Sequence, residues 1–390
     1  MLSRPEPACM VIADISGYTS YLAGVELDHA QDILADLINT VVTALRPNFK
    51  LAKLEGDAAF VFAPAEKVDG SLLLDTIERC YFGFRRRRRD VRQATSCECN
   101  ACLRIPDLNL KIVAHHGLIL RQKVAGREEL LGSDVIVVHR LLKNTIVEGL
   151  GVEAYAAFSQ ACIDAMAIDP AALEMIRHTE TYDHVGEVAV WVHDLERRWQ
   201  EEDSRERVIV TAKDALFAVD FDIAAPPQVV WEFITTPGRR TNWQHGVTDF
   251  VESNKTGGRR GRGMVNHCMH GPDAIVEEIL DWRPFDYLTD RSTMPGGAPT
   301  FLSTFELEPT ATGTRLSIRF APPRIAKERP MLEAIGKELV PVLELSFRTL
   351  AEHAEVETAA RTEGRELEPP LPEPKPDGLF SEMRPLLIVG

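Results

Sequence analysis

The chain opens on an unbroken apolar run, Cys9-Met10-Val11-Ile12-Ala13, that stops on Asp14. Its shortness and lack of alternation predict a buried strand over Cys9–Asp14. Beyond it the spacing changes. Ile33, Leu34, Leu37, Ile38, Val41, Val42 and Leu45 recur at helical intervals. Asp28 is suited to cap that helix and Pro47 to close it. Two further apolar segments, Phe49–Leu54 and Ala58–Phe62, flank Glu55-Gly56-Asp57 and predict a hairpin. Helix Ser71–Phe84, strand Leu108–Leu118 and a strand–helix pass through Leu130–Asn144 follow. The order is βαββαβ with additions, which suits an α+β, ferredoxin-like sheet with helices on one face.

The pattern changes again after Glu196–Arg207, a highly charged stretch. An alternating strand over Ala215–Ile223 leads through Pro226-Pro227 into helix Val229–Thr235. Short strands separated by Gly-rich turns come next: Val247–Glu252, Gly263–Met269, Ala274–Trp282, Tyr287–Thr293, Thr300–Pro309 and Thr314–Phe320. A long helix is expected over about Glu328–Glu355, and then a Pro- and Glu-rich tail of disordered composition. The organisation expected is a first domain over 1–195 with a Cys-rich insert at about 95–105, and a charged linker over 196–212. A second domain over 213–356 and a tail over 357–390 complete it.

At 390 residues, two domains plus connectors is the natural division. Hydrophobic residues at 45% and charged residues at 26% are ordinary for a globular protein. No apolar run reaches the roughly 18–20 residues that span a bilayer. The N-terminus MLSRPEPACMV carries no signal-peptide core, so a cytoplasmic location is the default. A net charge of −15 argues against general nucleic-acid binding. Five consecutive arginines, Arg85–Arg89, oppose that charge locally and read first as a solvated helix end.

Asp14 and Asp57 carry the clearest chemistry. Each stands at a strand end beside a glycine, and two hard oxygen ligands so placed suit Mg²⁺ or Mn²⁺. The turn Ile15-Ser16-Gly17 offers backbone N–H groups to phosphate oxygens, with Gly17 allowing close approach. Cys97, Cys99 and Cys102 form a Cys-x-Cys-x-x-Cys cluster. It would supply most of a Zn²⁺ shell, with Cys80 or a histidine as the fourth ligand. Reduced, unligated thiols and a redox switch are the other readings. His115 and His116 would point to opposite strand faces.

Three segments, ADISGYT (Ala13–Thr19), KLEGDAAF (Lys53–Phe60) and LLGSDVIVVHRLLKN (Leu130–Asn144), occur in an order that resembles the class III nucleotidyl cyclase catalytic domain. More closely, it resembles a bacterial branch of that family carrying a Cys-x-Cys-Asn-x-Cys insert, and the resemblance covers about residues 8–195. The resemblance implies that ATP or another purine nucleoside triphosphate binds with metal at Asp14 and Asp57, and that the chain is a homodimer. It further implies that Lys53 and Glu129 read the base and that Arg140 stabilises the transition state. In that family the metals activate the ribose 3′-hydroxyl for attack on the α-phosphorus. Two positions depart from the pattern: Ile136 replaces an asparagine, and Glu187 stands near the place of a triphosphate-binding lysine.

Residues 214–355 resemble the START-like, or SRPBCC, superfamily through DFDIAAPPQVVWEFITTPGRRTNW (Asp220–Trp243), the strand series and the closing helix. That resemblance implies a helix-grip fold around an apolar cavity for a hydrophobic small molecule. Trp243, His245, His267, His270, Trp282, Phe301 and Phe305 are the candidate lining residues. Three functions stay open. The chain is a ligand-regulated cyclase-like signalling protein, a catalytically degenerate nucleotide sensor, or a hydrophobic-ligand carrier or ring-processing protein whose first half is a dimerisation platform.

Overall fold

A computed structural model describes residues 4–25, 27–94, 99–124, 126–294 and 300–363. The chain divides into two compact units, Met1–Arg205 with Gly257–Arg259, and Glu206–Thr256 with Arg260–Gly390. No helix among the described residues is long and apolar enough to cross a membrane.

The first unit runs β1 (Glu6–Ser16), α1 (Tyr18–Leu22), α2 (Leu27–Leu45), β2 (Lys50–Glu55), β3 (Ala58–Pro64), α3 (Gly70–Ala94), α4 (Asn100–Leu103), β4 (Asn109–Val124) and β5 (Arg127–Leu131). It continues through α5 (Ser133–Leu141), α6 (Ile146–Leu150), β6 (Tyr155–Ser159), α7 (Gln160–Ala165), β7 (Ile176–Tyr182), β8 (Gly186–Asp194) and α8 (Leu195–Ser204). The main sheet has the order β2-β3-β1-β4-β6-β8-β7, with β5 added to β4. Its first four strands are the ferredoxin-like arrangement.

Helices cover both faces of this sheet rather than one. Cys9, Val11, Ala13 and Ile15 pack with α2 and α3, while Ala8, Met10 and Ile12 pack with Val135, Val138 and Leu141 of α5. Because strand side chains alternate in direction, a strand covered on both sides must be apolar at every position, which explains the opening run.

The charged stretch expected as a linker starts as helix α8. Asp194 caps it by accepting from the Arg197 N–H, and Trp199 is buried. Its Glu196 takes a bidentate pair from Arg85 at 2.7 Å to each oxygen. Arg87 binds Asp36 at 2.5 and 3.0 Å, and Arg86 lies over the Trp199 ring. The arginine run is therefore part of α3 and is engaged by neighbouring acids and rings.

The second unit runs β9 (Phe217–Ile223), α9 (Pro227–Thr235), α10 (Pro237–Trp243), β10 (Asp249–Ser253), β11 (Val265–His270), β12 (Asp273–Arg283), β13 (Tyr287–Thr293), β14 (Phe301–Pro309), β15 (Thr314–Phe320) and α11 (Arg329–Glu363). All seven strands are antiparallel, in the order β10-β11-β12-β13-β14-β15-β9. Helix α11 packs against β9, and Gly336 permits the approach: a Cβ there would sit 2.8 Å from the Phe217 ring. This helix continues to Glu363, past the boundary expected at residue 356. Arg361 stitches its last turns by pairing with Glu357 at 2.6 Å and Glu232 at 2.9 Å. The remainder of the expected tail, 364–390, lies outside the described residues.

Candidate functional site

Strand register assembles the first site. Asp14 faces Ala58 on β3 and Lys111 on β4, so Asp57, one residue before Ala58, is drawn alongside. The Ile15 N–H donates to the Asp57 backbone C=O at 3.4 Å, tying the end of β1 to the hairpin turn. The Lys111 ammonium lies 3.0 Å from Asp14 Oδ2 and donates also to the Leu142 C=O at 3.4 Å. Burial, and then the charge of Asp14, push the Asp57 carboxyl up to about 6, with Lys111 pulling the other way.

Two carboxylates against one ammonium leave one negative charge in excess. A small divalent cation would offset it, and the oxygens are those Mg²⁺ or Mn²⁺ prefers, so the pair fits such an ion. Among the described residues no group of three or more His, Cys, Asp or Glu gathers as ligands. The protein would thus supply only Asp14 and Asp57, leaving water and phosphate oxygens to complete the shell, as is usual for Mg²⁺.

The turn after β1 is conformationally demanding. Gly17 has φ of 86°, and a Cβ on it would meet the Asp107 C=O at 2.9 Å. Ser16 and Gly17 lead directly into α1, where the Gly17 C=O accepts from the Tyr21 N–H at 2.8 Å.

The remaining expected residues are placed as follows. Lys53, on β2, pairs with Glu55 at 2.8 Å. Glu129 lies on β5 opposite Gln122, and its neighbour Glu128 takes an ion pair from Lys50 at 2.8 Å. Arg140 is exposed in the last turn of α5. Ile136, one turn earlier, is 56% exposed, and Glu187 is exposed near the start of β8.

Lys111, Glu55 and His139 were missed by sequence reasoning. His139 lies 3.2 Å from Glu55 and stands edge-on to Phe60. Burial opposes the charge of Glu55, but Lys53 and His139 hold its carboxyl below the usual value. Lys111 sits in a strand otherwise read only for its apolar residues. Nothing local marked it.

The cysteine cluster lies partly outside the described residues, since Cys97 is among them no more than its neighbours 95, 96 and 98. Cys102 is buried in the core and Cys99 packs against it. Cys80 and one of the histidines, His115, are committed elsewhere. Cys80 is fully buried, its thiol pushed up to about 12 by burial and directed at the Val41 C=O. His115 lies between Ser159 at 2.7 Å and Asp134 at 3.4 Å.

The second unit encloses a cavity of about 100 Å³. Trp243, His245, His270, Phe301 and Phe305 line it. His267 and Trp282 do not. On β11 the alternation that turns Cys268 and His270 inward turns His267 away, and Trp282 packs edge-on against Trp231 at 4.9 Å. Unanticipated were the charged groups on the cavity wall: Arg240, Glu277 and Asp290. Arg240 donates to both Glu277 oxygens at 2.9 and 2.8 Å, and its guanidinium lies over the Phe250 and Phe305 rings. Asp290 accepts from Ser303 at 2.7 Å and Ser292 at 2.6 Å. Burial, then Glu277 beside it, push the Asp290 carboxyl up to about 6.

Comparison with known proteins follows the same division. Residues 214–355 match the family described as polyketide cyclase / dehydrase and lipid transport. Residues 34–149 match a family described as a protein of unknown function, DUF2652. A curated relative, the uncharacterized protein Rv2561/Rv2562 of Mycobacterium tuberculosis, is 42% identical over 113 residues. That match covers 29% of this chain and 52% of the relative, so the chain spans about half the relative's length.

Among solved structures, the guanylyl cyclase Cya2 is 15% identical, with a TM-score of 0.39 over 49% of this chain and 93% of its own. The adenylyl cyclase CyaB from P. aeruginosa is 13% identical, with a TM-score of 0.38 over 49% and 95%. Protein NE0264 from Nitrosomonas europaea is 15% identical, with a TM-score of 0.30 over 38% and 99%. The chain is an α+β protein of two units, and residues 214–355 of the second are similar to the polyketide cyclase / dehydrase and lipid transport family.

Proposed function

We propose that the first unit binds a purine nucleoside triphosphate together with Mg²⁺ or Mn²⁺, and that the second binds a hydrophobic small molecule that regulates it. The observation that carries the first part is the convergence of Asp14 and Asp57, with one negative charge in excess of what Lys111 offsets. A divalent ion there would neutralise triphosphate charge. The protein's own residues would do the rest. Gly17 holds the turn against which the phosphates lie, and Lys53 and Glu129 contact the base.

The exposed Ile136 and Glu187 favour binding over efficient turnover, because neither side chain can donate to ribose or phosphate. Arg140 is the residue left to stabilise a transition state. Exposed apolar side chains on the first unit, Leu54, Leu118 and Ile136 among them, suit burial in a homodimer. A cytoplasmic signalling role accords with these features.

Incubation of the protein with Mn²⁺ and each nucleoside triphosphate, read by equilibrium dialysis for binding and by mass spectrometry for cyclic product, tests the proposal. Binding lost in both Asp14→Ala and Asp57→Ala is the expected result. Nucleotide binding that survives both substitutions would overturn the site. Cyclic product that is lost in Arg140→Ala would assign turnover to that residue.

A further inference from the structure

The wall of the second unit's cavity is more specific than an apolar pocket needs to be. Among the described residues lining it stand one guanidinium, Arg240, and two carboxylates, Glu277 and Asp290. All three are buried, at 4%, 7% and 3% exposure. Arg240 is already committed: its fork closes on Glu277, and its Nε–H donates to Gln244 at 2.8 Å. Asn266 adds a donor to Glu277 at 3.4 Å.

Among the described residues Asp290 takes no such cationic fork. Its two oxygens accept one hydroxyl each, from Ser303 and Ser292. An ionised carboxylate has about four acceptor positions, so two remain for a ligand. Burying a second anion beside a set already one charge negative would be costly in a site shielded from water. A donor directed at Asp290 would instead satisfy it.

We infer that this cavity selects a single-ring-sized apolar molecule that ends in a hydrogen-bond donor, an amine or a phenol, and rejects the matching carboxylate. The inference rests on the proposed ligand-binding role of the second unit and names its ligand class. The volume makes one ring the upper limit, since about 100 Å³ falls short of the roughly 150 Å³ apolar cavity that accepts benzene. Asp290 is the recognising group, and Arg240 keeps Glu277 from competing for the donor. His245 and His270 also line the cavity. At pH 8 the Asp290 carboxyl, pushed up to about 6, is ionised.

The test is isothermal titration of the full chain at pH 8 with four ligands that share one ring: toluene, 4-methylphenol, 4-methylbenzylamine and 4-methylbenzoate. The phenol and the amine should bind about tenfold or more tighter than toluene, because each adds a hydrogen bond to a charged group. The benzoate should bind more weakly than toluene. Benzoate binding as tight as the amine overturns the inference. So does toluene binding as tight as both donors, although the cavity reading would then survive. If none of the four binds, the ligand-binding reading falls and the inference with it. In Asp290→Asn, checked for folding by circular dichroism, the amine's advantage should shrink by about tenfold. Retention of the full ranking would show that another group recognises the donor. The ranking on the unaltered protein decides the question even if that variant fails to fold.

Discussion

The two units repeat one charge arithmetic in different surroundings. Lys111 pairs with Asp14 and acts on Asp57 by its charge; Arg240 pairs with Glu277 and acts on Asp290 by its charge. In each set one carboxyl is pushed up to about 6 by burial and by its acidic neighbour. The cations differ. Lys111 is a point charge, with 24% of its side chain exposed, at the open end of a strand. Arg240 is a planar fork, its side chain 5% exposed, closed on both oxygens of one acid and flanked by two rings. Water reaches the first set, and it can take a hydrated ion and phosphate. The second is buried, with Trp243, Phe301 and Phe305 among the residues around it.

Four substitutions would break or sharpen that contrast. The largest loss is expected for Arg240→Met, which strands Glu277 in the wall without its partner. Breaking a buried pair costs about 3–5 kcal/mol, to be read as a fall in the urea midpoint of the second unit's transition. An unchanged midpoint would mean that the pair is not buried in solution.

Asp290→Asn should act through pH. The folded carboxyl titrates near 6 and the unfolded one near 3.8, so the folded state binds the proton more tightly. The stability contributed by this group is full below pH 3.8 and is lost as pH rises through 6, by at most roughly 3 kcal/mol. The groups facing Asp290 are Glu277, Arg240, Ser292 and Ser303. The variant should therefore lose less thermal stability than the parent between pH 4 and pH 7. Parallel Tm profiles would sink the assignment.

Gly17→Ala comes next. The positive φ and the Asp107 carbonyl both resist a side chain, and a loss of about 1–2 kcal/mol is expected. Gly56→Ala is the control, since it also has positive φ but meets nothing within 4 Å. Equal losses would assign the cost to φ alone. The smallest effect is expected for Lys111→Met, about 1 kcal/mol or less, because the pair is partly solvated. A loss rivalling that of Arg240→Met would erase the distinction between the two sets.

Much of the fold was legible because it is written locally. The six short strands expected between residues 247 and 320 lie within a few residues of β10–β15, since Gly-rich turns punctuate them. The alternation of β11 was equally readable, yet its inward face was not, so His267 was grouped with His270. Periodicity shows that two faces differ and leaves open which one meets the cavity. The charged run after residue 195 misled for a related reason. Its composition is that of a solvated connector, but Trp199 and Glu196 find partners on α3, more than a hundred residues earlier in the chain.

Asp14 and Asp57 could be paired from the sequence because each stands near a strand end and a glycine. Their partner, Lys111, and the set formed by Arg240, Glu277 and Asp290 could not. Strand register brings Lys111 opposite Asp14, although the two are 97 residues apart in the chain. The second set joins a helix, α10, to two strands, β12 and β13. Hydrophobic pattern specifies each element from neighbours a few residues away. Which charges end up facing one another depends on pairings between distant elements, and only the folded chain decides those.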